Sequence, residues 1–318
     1  MIVPLALNLL SARSRQRLSI LIYHRVLAHK DDLHTDLPSV AEFERDMGWV
    51  ARWFNVLPLD EAVRRWRAGT LPARAAAITF DDGYADNLTQ ATPILRRLGL
   101  SATFFIATDY LDGGRMWNDT IAEAVRRCPT AELDLRDLDL GTHPLPDMAA
   151  RRAAVARLLP AAKYLPQARR QEVADAIAAR VGQPLPDDLM MTRSQLKALR
   201  DAGMQIGAHT LSHPILANLS GPQAEAEIRG SKQELEALLQ QPVTLFAYPN
   251  GVPGRDYRRE HADMVEAAGF EAAVTTAAGA THPGSLAAQL PRFTPWDQTA
   301  TRFGLRLARN LLGQEATH

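Results

Sequence analysis

Two adjacent aspartates at the end of an apolar run are the first residues in this sequence able to do chemistry. Residues 75–80 are uncharged and partly β-branched or aromatic, and they end in Asp81-Asp82-Gly83. Far downstream, His209-Thr-Leu-Ser-His213 sets two imidazoles four positions apart. Each piece alone is ordinary. Asp-Gly marks turns, Asp caps helices, and neighbouring histidines make local hydrogen bonds. Jointly they can do more. One carboxylate and two imidazoles make a three-ligand set that leaves a position open for water, as in catalytic rather than structural zinc. Such an ion lowers the pKa of bound water towards ~7 and polarises a carbonyl. A second carboxylate beside the first can then take the water's proton, because the cation neutralises one aspartate and leaves the other a base. The zinc-protease pattern His-Glu-x-x-His is not met, since Thr210 stands where its Glu would be.

These residues need elements to bring them together. The run 75–80 suits a strand buried on both faces of a parallel sheet, with Asp81 and Asp82 at its carboxyl end, where α/β folds place active sites. Gly83 permits a sharp turn there. Residues 19–24 read as an earlier buried strand ending in His24. Phe43, Met47, Val50 and Phe54 make a helical stripe over 41–54. A short strand at 55–57, a helix capped by Asp60, a helix over 85–98 stopped by Gly99, and a strand over 102–107 follow. This alternation predicts an α/β parallel sheet or barrel with right-handed crossovers. The rhythm breaks over 111–189. There 116–127 and 148–181 are helical in pattern, and 133–140 alternates like a small exposed strand. The stretch reads as a helical insertion over one end of the barrel, able to shape a substrate groove. Trp117 and Asn118 at its start are candidate substrate contacts, although a Trp also packs. Capping boxes at Thr192–Gln195 and Ser220–Gln223 open two later helices. Strands over 203–208, 243–248, 271–276 and 288–293, with a helix over 256–268, complete the pattern.

At 318 residues the chain can bury a large core. Its 36 basic and 36 acidic side chains cancel, so no global field draws it to nucleic acid. The single cysteine, Cys128, excludes an internal disulfide and is a poor nucleophile without a positioned base. No segment reaches the ~20 apolar residues of a membrane span. In the segment 1–18 the basic residues Arg13, Arg15 and Arg17 follow the apolar run, the reverse of a secretory signal. The expectation is a cytoplasmic protein, at the inner membrane face if its substrate is lipid-linked. In the segment 299–318, Arg302, Arg306 and Arg309 share one helical face and Phe303, Leu307 and Leu311 another. Such a helix can lie on an anionic membrane surface or dock on the barrel with its arginine face solvated.

Thr79-Phe-Asp-Asp-Gly83, His209-Thr-Leu-Ser-His213 and Phe246-Ala-Tyr-Pro-Asn-Gly251, in that order, resemble the polysaccharide deacetylases, the NodB-like domains of carbohydrate esterase family 4. The branch resembled opens with a strand ending in Tyr-His, here Ile22-Tyr-His-Arg-Val26. The resemblance runs from about 24 to 295, within a domain over 19–298 that carries the insertion at about 111–190. It implies a distorted, incomplete (β/α) barrel. It implies that Asp81 is the catalytic base and that Asp82, His209 and His213 bind a divalent metal, usually zinc. Tyr248, Pro249 and Asn250 match the motif lining one side of the groove, with a backbone N–H near Asn250 holding the oxyanion. The reaction implied is removal of N-acetyl groups from amino sugars of a polysaccharide or glycan precursor.

The chain departs from the family's commonest pattern. Ala247 stands for an arginine that orients the base, and Asn250 for a tyrosine. Arg292 is the candidate replacement for that arginine. The usual late Leu-x-His is not evident, so the general acid falls to His24, as in the Tyr-His branch, rather than to His282. Two other readings stand beside this one: a related amidohydrolase on a lipid-linked or peptidoglycan-type sugar, and a non-catalytic glycan-binding module. The intact set of Asp81, Asp82, His209 and His213 opposes the second, because a binder has no need of a base beside a metal.

Overall fold

The computed structural model describes residues 14–312. The expected segment 1–18 lies outside the described residues at positions 1–13, and the expected helix 299–318 at 313–318. Eight segments form one parallel sheet: β1 (Leu18–Tyr23), β2 (Asn55–Val56), β3 (Ala75–Phe80), β4 (Thr103–Ile106), β7 (Gln205–Ala208), β8 (Leu245–Ala247), β9 (Ala272–Ala278) and β10 (Leu290–Arg292). The spatial order is β1-β3-β4-β7-β8-β9-β10, with β2 beside the start of β3. The first and last strands meet through two hydrogen bonds, Ile22 N–H to Phe293 O at 3.1 Å and Phe293 N–H to Ile20 O at 2.7 Å. The sheet therefore curls into a nearly closed, distorted (β/α) barrel, with a register shift between Leu290 and Arg292. Every residue of β1 and β3 is buried, as their uninterrupted apolar sequences require.

Helices α1 (Val40–Trp53), α2 (Leu59–Arg67), α3 (Thr92–Arg97), α7 (Arg193–Asp201), α8 (Gly221–Leu239) and α9 (Arg259–Ala267) belong to the barrel layer. Three of them open on capping boxes, at Ser39–Glu42, Thr192–Gln195 and Ser220–Gln223. The stripe on α1 is core: Phe43, Met47 and Val50 are fully buried. Some boundaries differ from expectation. Pro58, not Asp60, holds the cap position of α2; Asp60 lies in the first turn, paired with Arg64 at 2.8 Å. The helix expected over 85–98 contains a wide π turn at Asn87–Ala91 before α3. Pro93 has no N–H, and the Thr92 N–H and hydroxyl both return to the Asn87 carbonyl.

The insertion comprises α4 (Trp117–Arg127), the antiparallel hairpin β5 (Glu132–Leu135) and β6 (Gly141–Pro144), α5 (Met148–Lys163) and α6 (Gln167–Val181). Its apolar faces form a cluster of their own around Ile121, Leu135, Leu158 and Ile177. Two expectations are corrected. The single strand over 133–140 is a hairpin, turning through Asp139 at φ +59°; the leucine alternation runs on through the turn and hides it. The helical run over 148–181 breaks at Tyr164, because Pro166 disfavours helical backbone in the residue before it.

The C-terminal helix α10 (Ala300–Leu311) docks on β1 and α1. Phe303, Leu307 and Leu311 are buried, Phe303 meets Trp49 with ring centres 5.5 Å apart, and Asn310 Nδ2 donates to Ser19 Oγ at 3.0 Å. Arg302 and Arg309 remain exposed, while Arg306 pairs with Asp297 at 2.6 Å. Among the described residues no helix is long and apolar enough to cross a membrane. Phe303→Ala should lower the stability of the whole domain by about 3–5 kcal/mol in chemical denaturation, the usual loss for a fully buried phenylalanine. A loss under about 1 kcal/mol would show that α10 is not part of the core.

Candidate active site

The carboxyl ends of the parallel strands gather the chemical residues at one mouth of the barrel. Strand alternation sorts them. Phe80 faces outward against Phe43 of α1, with ring centres 5.6 Å apart, so Thr79 and Asp81 share the opposite face. Arg292, on the last strand, reaches both: Nη1 donates to Asp81 Oδ1 at 2.7 Å and to Thr79 Oγ1 at 3.2 Å, and Nη2 donates to Asp81 Oδ2 at 2.7 Å. Its Nε donates to Thr275 O at 2.7 Å. Both partners are almost inaccessible, Asp81 at 2% and Arg292 at 1%. Burial pushes the Asp81 carboxyl up, but Arg292 first, and then His209, hold it below the usual carboxylate range.

Asp82 turns the other way. It leaves β3 at φ +79°, in the left-handed region, and Gly83 follows at φ +93°. Asp82 Oδ1 stands 3.4 Å from His209 Nε2 and 3.3 Å from His213 Nε2. One ligand atom from each of the three lies within 4.8 Å of the others. Donors bonded to a tetrahedral zinc ion at 2.0–2.2 Å stand about 3.3–3.5 Å apart, which both separations from Asp82 match. The tautomer fits too. His209 Nδ1 lies 2.7 Å from Ala247 O, so that N–H donates there and leaves the Nε2 lone pair free. Burial, and then the neighbouring His209 and Arg170, drive His213 down to about 3, leaving it neutral as a metal ligand must be. Asp82 is held well below its ordinary value despite burial, through His209 and His213.

The ligand loop is tightly fixed. Glu227 of α8 accepts the N–H groups of Leu211 and Ser212, both at 2.9 Å, and the Ser212 hydroxyl at 2.5 Å. The Thr210 hydroxyl accepts the His213 N–H at 3.1 Å. Of the nine non-glycine residues at positive φ among the described residues, four belong to the site: Asp82, Thr210, His213 and Asn250. Backbone strain of this kind persists only where the surroundings over-determine it, and it clusters at functional sites.

The cleft above these groups holds about 470 Å³, within the ~300–1,000 Å³ of ligand sites. His24 is exposed and lines it. His282 lies elsewhere: it follows Thr281, which bridges to Leu18 at the amino end of β1, and its carbonyl accepts from Trp66 Nε1 at 3.1 Å. Asn250 lines the cleft at φ +61°, its own N–H unpaired among the described residues and its carbonyl held by the Thr276 hydroxyl at 2.7 Å. Tyr248 and Pro249 are buried and do not line it. The Tyr248 ring stacks on Tyr257 with centres 3.8 Å apart and its hydroxyl donates to Ala288 O at 2.9 Å, so this residue is packing. Trp117 lies at the rim, 8% exposed, with the Arg170 guanidinium 4.9 Å from its ring centre.

Sequence reasoning missed Glu227, Thr276, Lys163 and the anchor of the insertion. That anchor is Asp119, buried and pushed up to about 6, which accepts the Tyr84 hydroxyl at 3.0 Å and the Met116 N–H at 3.2 Å. It ties α4 to the turn just beyond Asp82. Glu227 carries no signal beyond being one acid among several on an amphipathic helix. The Asp81–Arg292 pair yields a pH prediction. A depressed carboxyl contributes stability that is present above its unfolded pKa of ~3.9 and is lost as pH falls through the folded value. Arg292→Met leaves the buried Asp81 carboxyl unpaired and raises its pKa, so it should cost about 3–5 kcal/mol at pH 7 in urea unfolding, and progressively less as pH falls through that raised value towards the depressed one of the paired carboxyl. A difference independent of pH would show that Asp81 does not carry the charge.

The profile of the polysaccharide deacetylase family matches residues 68–135 and 163–273. The Bacillus subtilis (strain 168) protein YxkH, named as a polysaccharide deacetylase, is 23% identical over 266 residues, which cover 83% of this chain and 66% of YxkH. Two solved structures share the fold. The deacetylase PplD of Streptococcus pyogenes, solved with acetate, is 18% identical, with 92% of this chain and 98% of that one covered and a TM-score of 0.62. IcaB from Ammonifex degensii is also 18% identical, with 94% and 97% covered and a TM-score of 0.60. More than half of the residues fall under the family profile, and the chain belongs to the polysaccharide deacetylase family.

Proposed function

We propose that this protein is a metal-dependent hydrolase that removes N-acetyl groups from amino sugars of a polysaccharide or glycan precursor. The observation that supports the reading is the placement of the paired aspartates: Asp82 lies with His209 and His213 in a set able to hold a metal ion, and Asp81 pairs with Arg292 beside it. The names of YxkH and PplD support it. A purely glycan-binding role leaves that buried pair without a purpose.

When bound, a divalent ion at Asp82, His209 and His213 polarises the acetamide carbonyl and acidifies the attacking water; the chemistry of the donor set favours zinc. Asp81 accepts the proton of that water. Arg292 occupies one lone pair on each of its oxygens and leaves the others for the transfer. The Asn250 N–H donates to the oxyanion as the carbonyl becomes tetrahedral. His24, on the exposed side of the cleft, gives a proton to the nitrogen as the C–N bond breaks. Acetate and a free amine result.

Acetate release from N-acetylglucosamine oligomers is the direct test. Asp81→Asn should lower kcat by about 10²–10⁴ on such amides and on an activated aryl acetate alike. His24→Gln should lose amide hydrolysis to a similar degree and keep the aryl acetate, whose leaving group needs no proton. Loss of both by His24→Gln would remove its role as acid. Near-full activity of Asp81→Asn would remove the base.

A further inference from the structure

The insertion supplies one side of the cleft, and it does so with positive charge. Lys163, the last residue of α5, lines the same cleft as His24, Asp81 and Asp82. It is half-buried and makes no ion pair or hydrogen bond among the described residues; its ammonium lies 5.7 Å from the Tyr164 ring centre. Burial pushes it below the ordinary lysine range, and Arg255 and Arg170 add to that effect. The acid that acts on it, Asp256, is already engaged by the Val252 N–H at 3.0 Å and Arg255 Nε at 3.3 Å.

Arg170 of α6 repeats the pattern. It is 3% exposed and has no carboxylate partner among the described residues. Among the described residues its guanidinium packs over Trp117 and reaches only the His213 carbonyl, at 3.5 Å. On the other side of the balance, the carboxylates lining the cleft are Asp81 and Asp82. Asp81 is neutralised by Arg292, and Asp82 belongs to the ligand set. A partly desolvated cation such as Lys163, with no counter-charge among the described residues, is costly, and a neutral sugar would leave it so.

We propose that the substrate carries an anionic group, a carboxylate or a phosphate, next to its acetamido sugar, and that Lys163 binds this group while Arg170 adds to the field behind Trp117. Lys163 thus sets specificity within the deacetylase reading, on which this inference rests for its kinetic readout. It takes no part in bond breaking. Lysine suits either anion as a compact charge with three rotatable donors.

The test compares three probes on metal-loaded wild type, Lys163→Met and Lys163→Arg. They are a neutral N-acetylglucosamine tetramer, an oligosaccharide alternating N-acetylglucosamine with glucuronic acid, and N-acetylglucosamine 1-phosphate. Wild type should favour one anionic probe over the tetramer by at least about tenfold in kcat/KM, the scale of one charge-assisted hydrogen bond. The favoured arm identifies carboxylate or phosphate. Lys163→Met should abolish the preference through KM, and Lys163→Arg should retain most of it. No preference in wild type, or a preference that survives Lys163→Met, overturns the proposal. If no probe releases acetate, the deacetylase reading fails separately, and calorimetric binding of the same probes still decides. At least tenfold tighter binding of an anionic probe to wild type than to Lys163→Met upholds the proposal, and equal binding overturns it.

Discussion

The buried pair between Asp81 and Arg292 is the interaction on which the site depends. Both side chains are almost wholly removed from water, and two parallel hydrogen bonds of 2.7 Å join them. A carboxylate placed there alone would take up a proton and lose its value as a base. Arg292 prevents that, and Thr79 and the Thr275 carbonyl hold the guanidinium in place. The pair also spans β3 and β10, next to the seam where the last strand meets the first.

The rest of the site follows from what that pair leaves to its neighbours. With Asp81 engaged, Asp82 turns into the left-handed region and faces His209 and His213. Those histidines come from a loop that Glu227 clamps from α8 and that Ala247 orients through His209 Nδ1. The close turn at Asn250 needs Gly251 at φ +69°, where a Cβ would stand 2.9 Å from the Tyr248 carbonyl. That turn places Asn250 in the cleft lining and leaves its N–H without a partner among the described residues. In the proposed reading the barrel supplies base, ligands and oxyanion donor, while the insertion supplies the wall that carries Trp117 and Lys163.

Much of this was legible in the sequence because strands and capping boxes are local signals. The uncharged runs ending at Tyr23 and Phe80 foretold buried parallel strands, and the carboxyl-end position of Asp81, Asp82 and His209 followed. What the sequence left open depends on contacts distant along the chain. Arg292 could be named as a candidate, but its partner lies 211 positions away. Tyr248 shares a motif with Asn250, yet its ring turns to Tyr257 and the core, because the chain leaves β8 after Ala247 and turns at Asn250 and Gly251, both at positive φ. The resemblance preferred His24 to His282; that His24 lines the cleft while His282 follows Thr281 beside the amino end of β1 depends on the fold, which residue type does not encode. The hairpin within 132–144 and the break at Tyr164 were hidden by leucine and alanine patterns that continue across them.

The central claim is that the two aspartates divide their labour, Asp82 to the metal and Asp81 to the proton. A crystal of the zinc-loaded protein, analysed by anomalous scattering at the zinc edge, tests it most directly. The account predicts one ion bonded at about 2.0–2.2 Å to Asp82, His209 and His213, with Asp81 still paired to Arg292 and not among the ligands. An ion that takes Asp81 as a ligand, or one bound away from these histidines, would contradict it.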